Sequence, residues 1–375
     1  MLFYIKRKIS LNDLSILLQL DKRLILDSNK KLKNLQSGLI NEDTYLLIPY
    51  KESVLDISSE YVELMNNDIK IMHETQGNGT ILNTKKPYDS LELYSELNQL
   101  VTLYPFLQKE IIGYSVLGKP IVELKIGNGP KKIHMNGSFH ANEWITTSIM
   151  MYWLKNFLAS LVNNQLLDGN CCSSLYKEVT LSFVPMVNPD GVDLVRNGLP
   201  NNSKYNKLIL EINGYSLDFS QWKANIRGVD LNNQYPANWE IEKERKIPKG
   251  PAPRDYPGDA PLTEPEAIAL ADIVQKRQFD RVLAFHTQGE EIYWGYLGKE
   301  PKEAGQIVAE FERLSGYKAI RNIDSHAGFR DWFVNEYEKS GFTIELGLGV
   351  NPLPFEQFDE MYTKSKGIFL AALFM

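Results

Sequence analysis

KKIHMNGSFHANEWITTSIMMYWLKNFLASLV, residues 131–162, joins a strand-like run to a long helical one through a polar turn. KKIHMNG reads as a strand, and TTSIMMYWLKNFLASLV repeats its apolar residues at helical spacing. The turn between them carries His140 and Glu143, three residues apart. The same alternation extends in both directions. SLELYSELNQLVTLYP reads as a helix and IVELKIG as a strand upstream; VTLSFVPMVNP, RVLAFH and GFTIEL read as strands downstream. Between these lie APLTEPEAIALADIVQKRQ and the amphipathic EAGQIVAEFERLSG, both helical. Such alternation predicts an α/β sheet with helices on both faces.

Polar residues collect at the ends of these strands. His140 follows KKIHMNG, His286 ends RVLAFH, Glu345 ends GFTIEL, and Asn188-Pro189-Asp190 closes LSFVPMV. In open α/β sheets, ligands bind beyond the carboxyl ends of the strands. Two histidines and a glutamate are a known donor set for catalytic zinc, and His140, Glu143 and His286 supply it. An H-x-x-E pair alone is a common coincidence, so the weight rests on the shared location. His134 sits within a strand among apolar neighbours and reads as a core residue; His326, in DSHAGFRDW, is not assigned as a ligand.

Composition excludes several classes. With 43% hydrophobic, 11% aromatic and 23% charged residues the chain can bury a large core. A formal net charge of −6 gives no basic field for nucleic acid, and no apolar run reaches the length of a membrane span. The N-terminal MLFYIKRKISLNDLSILLQLDKRLIL lacks the features of a signal peptide, which predicts a cytoplasmic protein with no membrane insertion. Cys171 and Cys172 are adjacent, a strained arrangement for a disulfide, so free thiols are expected.

Residues 1–52 read as strand, helix, helix, strand and resemble a LysM module, the small βααβ domain that binds N-acetylglucosamine-containing glycans. The resemblance rests on the closing LLIP and on Asn29 after the second helix; in place of a Gly-Asp-Thr after the first strand the chain has Ile9-Ser10-Leu11-Asn12. The alternative is a cap packed on the main domain. Residues 53–85, with QGNGT and NTKKP, read as a linker, and 86–375 as the catalytic domain.

FHANEW, VNPDGVDL, RGVDLN, AFHTQGEEIYWGY and GFTIELGLG occur in the order and rough spacing of the zinc carboxypeptidase family. The chain resembles that family from about residue 88 to its end, most closely the bacterial branch that cuts γ-D-glutamyl–diamino acid bonds and often carries LysM modules. The resemblance implies a mixed parallel and antiparallel sheet and one zinc ion held by His140, Glu143 and His286. It implies Glu345 as general base and a cation for the oxyanion, which is Lys223 after Trp222 or, alternatively, Arg227. Digestive members follow G-V-D-x-N with an arginine that clamps the substrate's C-terminal carboxylate. Here Asn232 is kept and the arginine is Asn233. Arg330 falls at the position that reads the leaving side chain and suits a carboxylate such as that of meso-diaminopimelate; its alternative is an internal pair with Asp331 or Asp324. The register of the family's mobile tyrosine falls on Ile323.

The expected activity is hydrolysis of γ-D-glutamyl–meso-diaminopimelate bonds in peptidoglycan peptides or muropeptides, with glycan bound by the N-terminal unit. The setting is muropeptide recycling, sporulation or lysis. A metallocarboxypeptidase for acidic C-terminal residues and a non-catalytic glycan-binding protein are the alternatives.

Overall fold

The computed structural model describes residues 1–34, 38–51, 69–73, 84–201 and 203–375. Its N-terminal unit contains β1 (Leu2–Ile5), α1 (Leu11–Leu18), α2 (Lys22–Ser28) and β2 (Thr44–Leu47). Ser10 and Asp21 cap the two helices by accepting from the backbone N–H groups of Asp13 and Arg23. β1 pairs antiparallel with β2, and on its other edge with β3 (Ile69–His73). The expected linker therefore contributes a strand to this sheet, while 52–68 and 74–83 lie outside the described residues. A short strand is read in sequence from its apolar run, and IKIMH is broken by Lys70 and bounded by polar segments. Asn29 ties the unit together: its Nδ2 donates to the carbonyls of Ile25 and Leu47, and its Oδ1 accepts from the Leu47 N–H.

The main domain begins with α3 (Ser90–Leu103), β4 (Gln108–Tyr114), β5 (Pro120–Ile126) and β6 (Lys131–Gly137). It continues through α4 (Ile145–Val162), β7 (Val179–Val184) and α5 (Pro189–Asn197). After a segment of loops and the two short helices Asn206–Ile212 and Trp239–Arg245 come α6 (Pro265–Arg277), β8 (Arg281–His286), β9 (Glu291–Trp294) and α7 (Lys302–Ser315). β10 (Lys318–Arg321), α8 (Phe329–Tyr337), β11 (Ser340–Glu345) and α9 (Phe358–Phe374) complete it.

The strands form one eight-stranded sheet in the order β10-β9-β11-β8-β6-β7-β5-β4. β11, β8, β6 and β7 run parallel, and each flank turns antiparallel, β9 against β11 and β5 against β7. The mixed sheet is the expected one. Every residue of β8 is buried, because helices cover both faces. Leu283 and Phe285 pack with α4, α7 and α9 in one core, while Val282 and Ala284 pack with α6 and α8 in another. This period-two division places successive side chains on opposite faces.

The apolar residues of the N-terminal unit are continuous with the first of these cores. Tyr176 OH donates to Asp27 at 2.8 Å, Asn164 Nδ2 donates to the Gln19 carbonyl at 2.7 Å, and Asp21 pairs with Lys177. Cys171 is exposed, Cys172 is buried, and both thiols are free. No helix among the described residues is long and apolar enough to cross a membrane.

Candidate metal centre

β6 ends at Gly137, where a side chain would meet Met150 Sδ at 2.6 Å and Thr146 Oγ1 at 3.1 Å. Glycine thus lets the turn fold tightly onto the start of α4. Ser138 follows with a left-handed φ of 49°. Its N–H donates to Thr146 Oγ1 at 2.9 Å, and the Thr147 hydroxyl donates to the Pro185 carbonyl at 2.6 Å. ITT at the helix start therefore pins the turn that projects His140. Glu143 lies in the short 3-10 turn Ala141–Glu143 that leads into the helix.

β8 and β11 supply the other two groups through register. His286 and Glu345 are paired neighbours at the ends of adjacent parallel strands, and β8 lies directly beside β6. Glu143 bridges the two rings: its Oε1 is 2.8 Å from His140 Nδ1 and its Oε2 is 2.9 Å from His286 Nδ1. The two Nδ1 atoms are 3.1 Å apart, and one ligand atom from each of the three residues lies within 4.8 Å of the others. All three side chains are buried. Two nitrogens and a carboxylate converging in this way fit zinc, since no carbon group separates them.

Asp230 fixes which nitrogen is offered. Its Oδ1 lies 3.2 Å from His140 Nε2 and accepts a proton held on that ring nitrogen, the tautomer in which Nδ1 offers its lone pair to a metal ion. Burial opposes charge on His140, yet the Glu143 and Asp230 carboxylates raise its pKa. Burial likewise disfavours the charged Asp230, but Lys223 and His140 hold its pKa well below the ordinary range. The His286 ring stacks on Phe139 at 5.8 Å and 13°, which orients it although its Nε2 has no partner among the described residues.

A cleft of about 260 Å³ opens over these donors and is lined also by Glu345, Lys223, Arg254, Tyr293 and Asn351. Burial pushes the Glu345 carboxyl up to about 8, with the charge of Glu143 adding to the effect. Lys223 Nζ stands 3.4 Å from Asp230 Oδ2 and 3.9 Å from Asp255 Oδ1. The Lys223 carbonyl accepts from the Ala141 N–H at 3.0 Å, which couples its loop to the H-x-x-E turn.

The remaining sequence candidates fall elsewhere. Arg227 does not line the cleft; its Nη1 lies 3.7 Å from Glu264 Oε1. Arg330 is 4% exposed, donates through Nη1 to the Gly295 carbonyl at 3.1 Å and pairs through Nη2 with Asp331. The internal pair that was its alternative is present, and Arg330 is outside the cleft lining. Asn232 Oδ1 accepts from the Phe329 N–H at 3.0 Å, and Asn233 is buried; neither lines the cleft. His326 bonds to Tyr296 OH, away from the donors. His134 is a buried core residue between Ser182 and Asn136.

Sequence reasoning missed Asp230, Arg254, Tyr293 and Asn351. Asp230 stood inside RGVDLN, which was read for Asn232 and for the Asn233 that follows it. Asn351 Nδ2 donates to the Thr287 carbonyl at 2.9 Å and lies 3.3 Å from Glu143 Oε1. Arg254 had no motif around it.

A family model described as zinc carboxypeptidase matches residues 93–364. Gamma-D-glutamyl-L-diamino acid endopeptidase 1 of Lysinibacillus sphaericus is 52% identical over 295 residues, covering 79% of this chain and 74% of that protein. A Bacillus subtilis protein, YqgT, is 51% identical over 294 residues, covering 77% and 78%. Among solved structures, bovine thrombin-activatable fibrinolysis inhibitor in complex with a tick carboxypeptidase inhibitor superposes with a TM-score of 0.60 at 18% identity. That match covers 77% of this chain and 97% of the other, and it supports the fold.

Proposed function

The chain belongs to the zinc carboxypeptidase family, and on that premise we propose that it hydrolyses the γ-D-glutamyl–diamino acid bond of peptidoglycan peptides, releasing meso-diaminopimelate. It is a zinc-dependent metallopeptidase. The observation that carries the reading is the meeting of His140, Glu143 and His286 beside Glu345, in a cleft also lined by Lys223. The relative of 52% identity named for γ-D-glutamyl-L-diamino acid cleavage supports the substrate class. The neutral Asn233 supports it too, because an ordinary C-terminal carboxylate would favour a charged clamp.

In this mechanism His140, Glu143 and His286 hold the zinc ion. When bound, zinc acidifies water and polarises the scissile carbonyl. Glu345, as carboxylate, accepts the proton of the attacking water and returns it to the leaving amine. A cation held by Glu143 would favour the ionised form of Glu345 that this step needs. Lys223 meets the charge that develops on the carbonyl oxygen. Asp230 holds the His140 ring and orients Lys223 from the same carboxylate.

The N-terminal β-α-α-β unit is the glycan-binding element of this proposal. Its strand pairing and the Asn29 bridge support the likeness to a LysM module on which that role rests. Bringing glycan close would raise the local concentration of peptide substrate. Muropeptide recycling in the cytoplasm, or wall material reached in sporulation or lysis, is the proposed setting.

The test incubates the zinc-loaded protein with L-Ala-γ-D-Glu-meso-diaminopimelate and, separately, with an α-linked peptide ending in Glu, with products identified by mass. Release of diaminopimelate from the γ-linked peptide alone is expected. Cleavage of the α-linked peptide alone would replace this reading with an acidic-residue carboxypeptidase.

A further inference from the structure

Three arginines come into question as readers of a substrate carboxylate; each has an acidic protein partner, and they differ in what the rest of the guanidinium faces. Arg330 is buried against Asp331 and Gly295, and Arg227 lies beside Glu264. Arg254 differs. It lines the cleft with a side chain 55% exposed, and its Nε donates to Asp255 Oδ2 at 3.1 Å. Its Nη1 and Nη2 have no partner among the described residues.

The position of Arg254 is built rather than incidental. The Pro253 carbonyl accepts from the N–H groups of Lys223 and Ala224 at 2.8 and 2.9 Å. Ala252 N donates to the Gly228 carbonyl at 2.9 Å, and Asp230 N to the Tyr256 carbonyl at 2.7 Å. Asp255 takes a left-handed φ of 66°, a conformation that costs a non-glycine residue and persists where neighbours impose it. Residues 252–256 are thereby fastened to the loop that carries Lys223 and Asp230. Asp255 engages one edge of the guanidinium and leaves the planar Nη pair for a carboxylate.

Resting on the function proposed above, the side of the bond follows from the division of roles. Glu345 serves the leaving amine, whereas Lys223 serves the carbonyl oxygen. Arg254 shares the anchored loop of Lys223, so it belongs to the acyl side. A γ-linked glutamyl residue carries a free α-carboxylate there, a short methylene spacer from the scissile carbonyl. In an α-linked residue the carbon beside the scissile carbonyl carries the amide nitrogen of the chain, and a carboxylate at this spacing is present only where the residue is itself a glutamate. We propose that Arg254 is a specificity-determining residue that binds, through its free Nη pair, the α-carboxylate of the γ-linked glutamyl residue.

The test compares kcat/KM of the zinc-loaded full chain, Arg254→Ala and Arg254→Lys on three peptides. These are L-Ala-γ-D-Glu-meso-diaminopimelate, the same peptide with the glutamyl α-carboxylate as carboxamide, and one with the diaminopimelate side-chain carboxylate as carboxamide. A charge-assisted contact predicts that glutamyl amidation lowers wild-type kcat/KM about 10–100-fold. Arg254→Ala should lose a similar factor on the free acid and little on the glutamyl amide, with zinc content unchanged, and Arg254→Lys should recover part. Equal losses on both peptides, or none on either, would overturn the proposal. So would an Arg254→Ala protein whose lost preference concerns the diaminopimelate carboxylate. A wild-type chain inactive on all γ-linked peptides would instead overturn the function itself, and this role with it.

Discussion

Glu345 and Glu266 are both buried carboxyl groups held above the ordinary range, one at the catalytic corner and one where α6 begins. Burial pushes Glu345 up to about 8 and Glu266 up to about 7, and in each case a second carboxylate adds to it, Glu143 for the first and Asp190 for the second. Their partners separate them. Glu266 Oε1 accepts from the Val116 N–H at 3.1 Å and its Oε2 lies 3.3 Å from Asn225 Nδ2, so the fold accounts for both oxygens. Glu345 instead faces the cleft beside His286. A perturbed carboxyl marks strain between burial and charge; a site is marked by polar groups that point at space rather than at the chain. Arg330 and Arg254 divide in the same way.

The largest effect should come from the open member of the first pair. Glu345→Gln keeps the shape and removes the proton acceptor, and kcat should fall about 10²–10⁴-fold. Zinc content, measured by metal analysis, should stay at one per chain, because the donor set does not include Glu345. Full activity in this variant would remove the assigned base and the contrast with Glu266.

The two arginines test the same division on stability. Arg330→Ala strands Asp331, a buried carboxyl that burial already pushes up, and should destabilise by about 3–5 kcal/mol in denaturant unfolding. Arg254→Ala, at the solvent-facing wall, should shift stability by no more than about 0.5 kcal/mol. An Arg330→Ala protein that unfolds like the wild type and loses its preference for diaminopimelate would return Arg330 to the role first read from sequence.

Asp230 lies between the two classes: besides accepting from the Asn232 N–H at 3.0 Å, it makes internal contacts to His140 and Lys223 that orient functional groups. Asp230→Asn weakens the hold on the His140 tautomer and should lower zinc affinity about 10–100-fold in chelator competition. Unchanged affinity would reduce the Asp230 contact to packing.

The same division explains what the sequence disclosed. Strand and helix periods are local, so β6, α4, β8 and β11 were legible, and strand ends carried His140, His286 and Glu345 to one corner. The H-x-x-E spacing gave Glu143 because a single turn separates it from His140. For Arg330 the pair with its neighbour Asp331 was legible as the alternative, whereas the Gly295 carbonyl it also meets, and the Glu264 partner of Arg227, are distant in sequence and set by tertiary packing. Arg254 was hidden for the converse reason: its placement depends on carbonyls 253 and 256 meeting the 223–230 loop, which no local pattern announces. The strand Ile69–His73 was lost to the linker because its pairing with β1 spans more than sixty positions of chain.

The smallest shift expected to stand clear of zero sits at Glu266 and concerns sign. Its folded pKa lies above the ordinary carboxyl value of 4.5, so the folded chain binds this proton more tightly than the unfolded one. The associated stability is complete below about pH 4.5 and is lost as pH rises towards 7. Glu266→Gln resembles the protonated form at every pH. Its stability relative to wild type should therefore climb by about 1 kcal/mol between pH 5.5 and 6.5, where one pH unit is worth about 1.4 kcal/mol for a fully coupled proton. Zinc affinity and kcat should not change, since Glu266 lines no part of the cleft. Parallel pH curves for variant and wild type would mean that Asn225 and Val116 already compensate the buried charge, and that the shared rise of the two carboxyls has different causes.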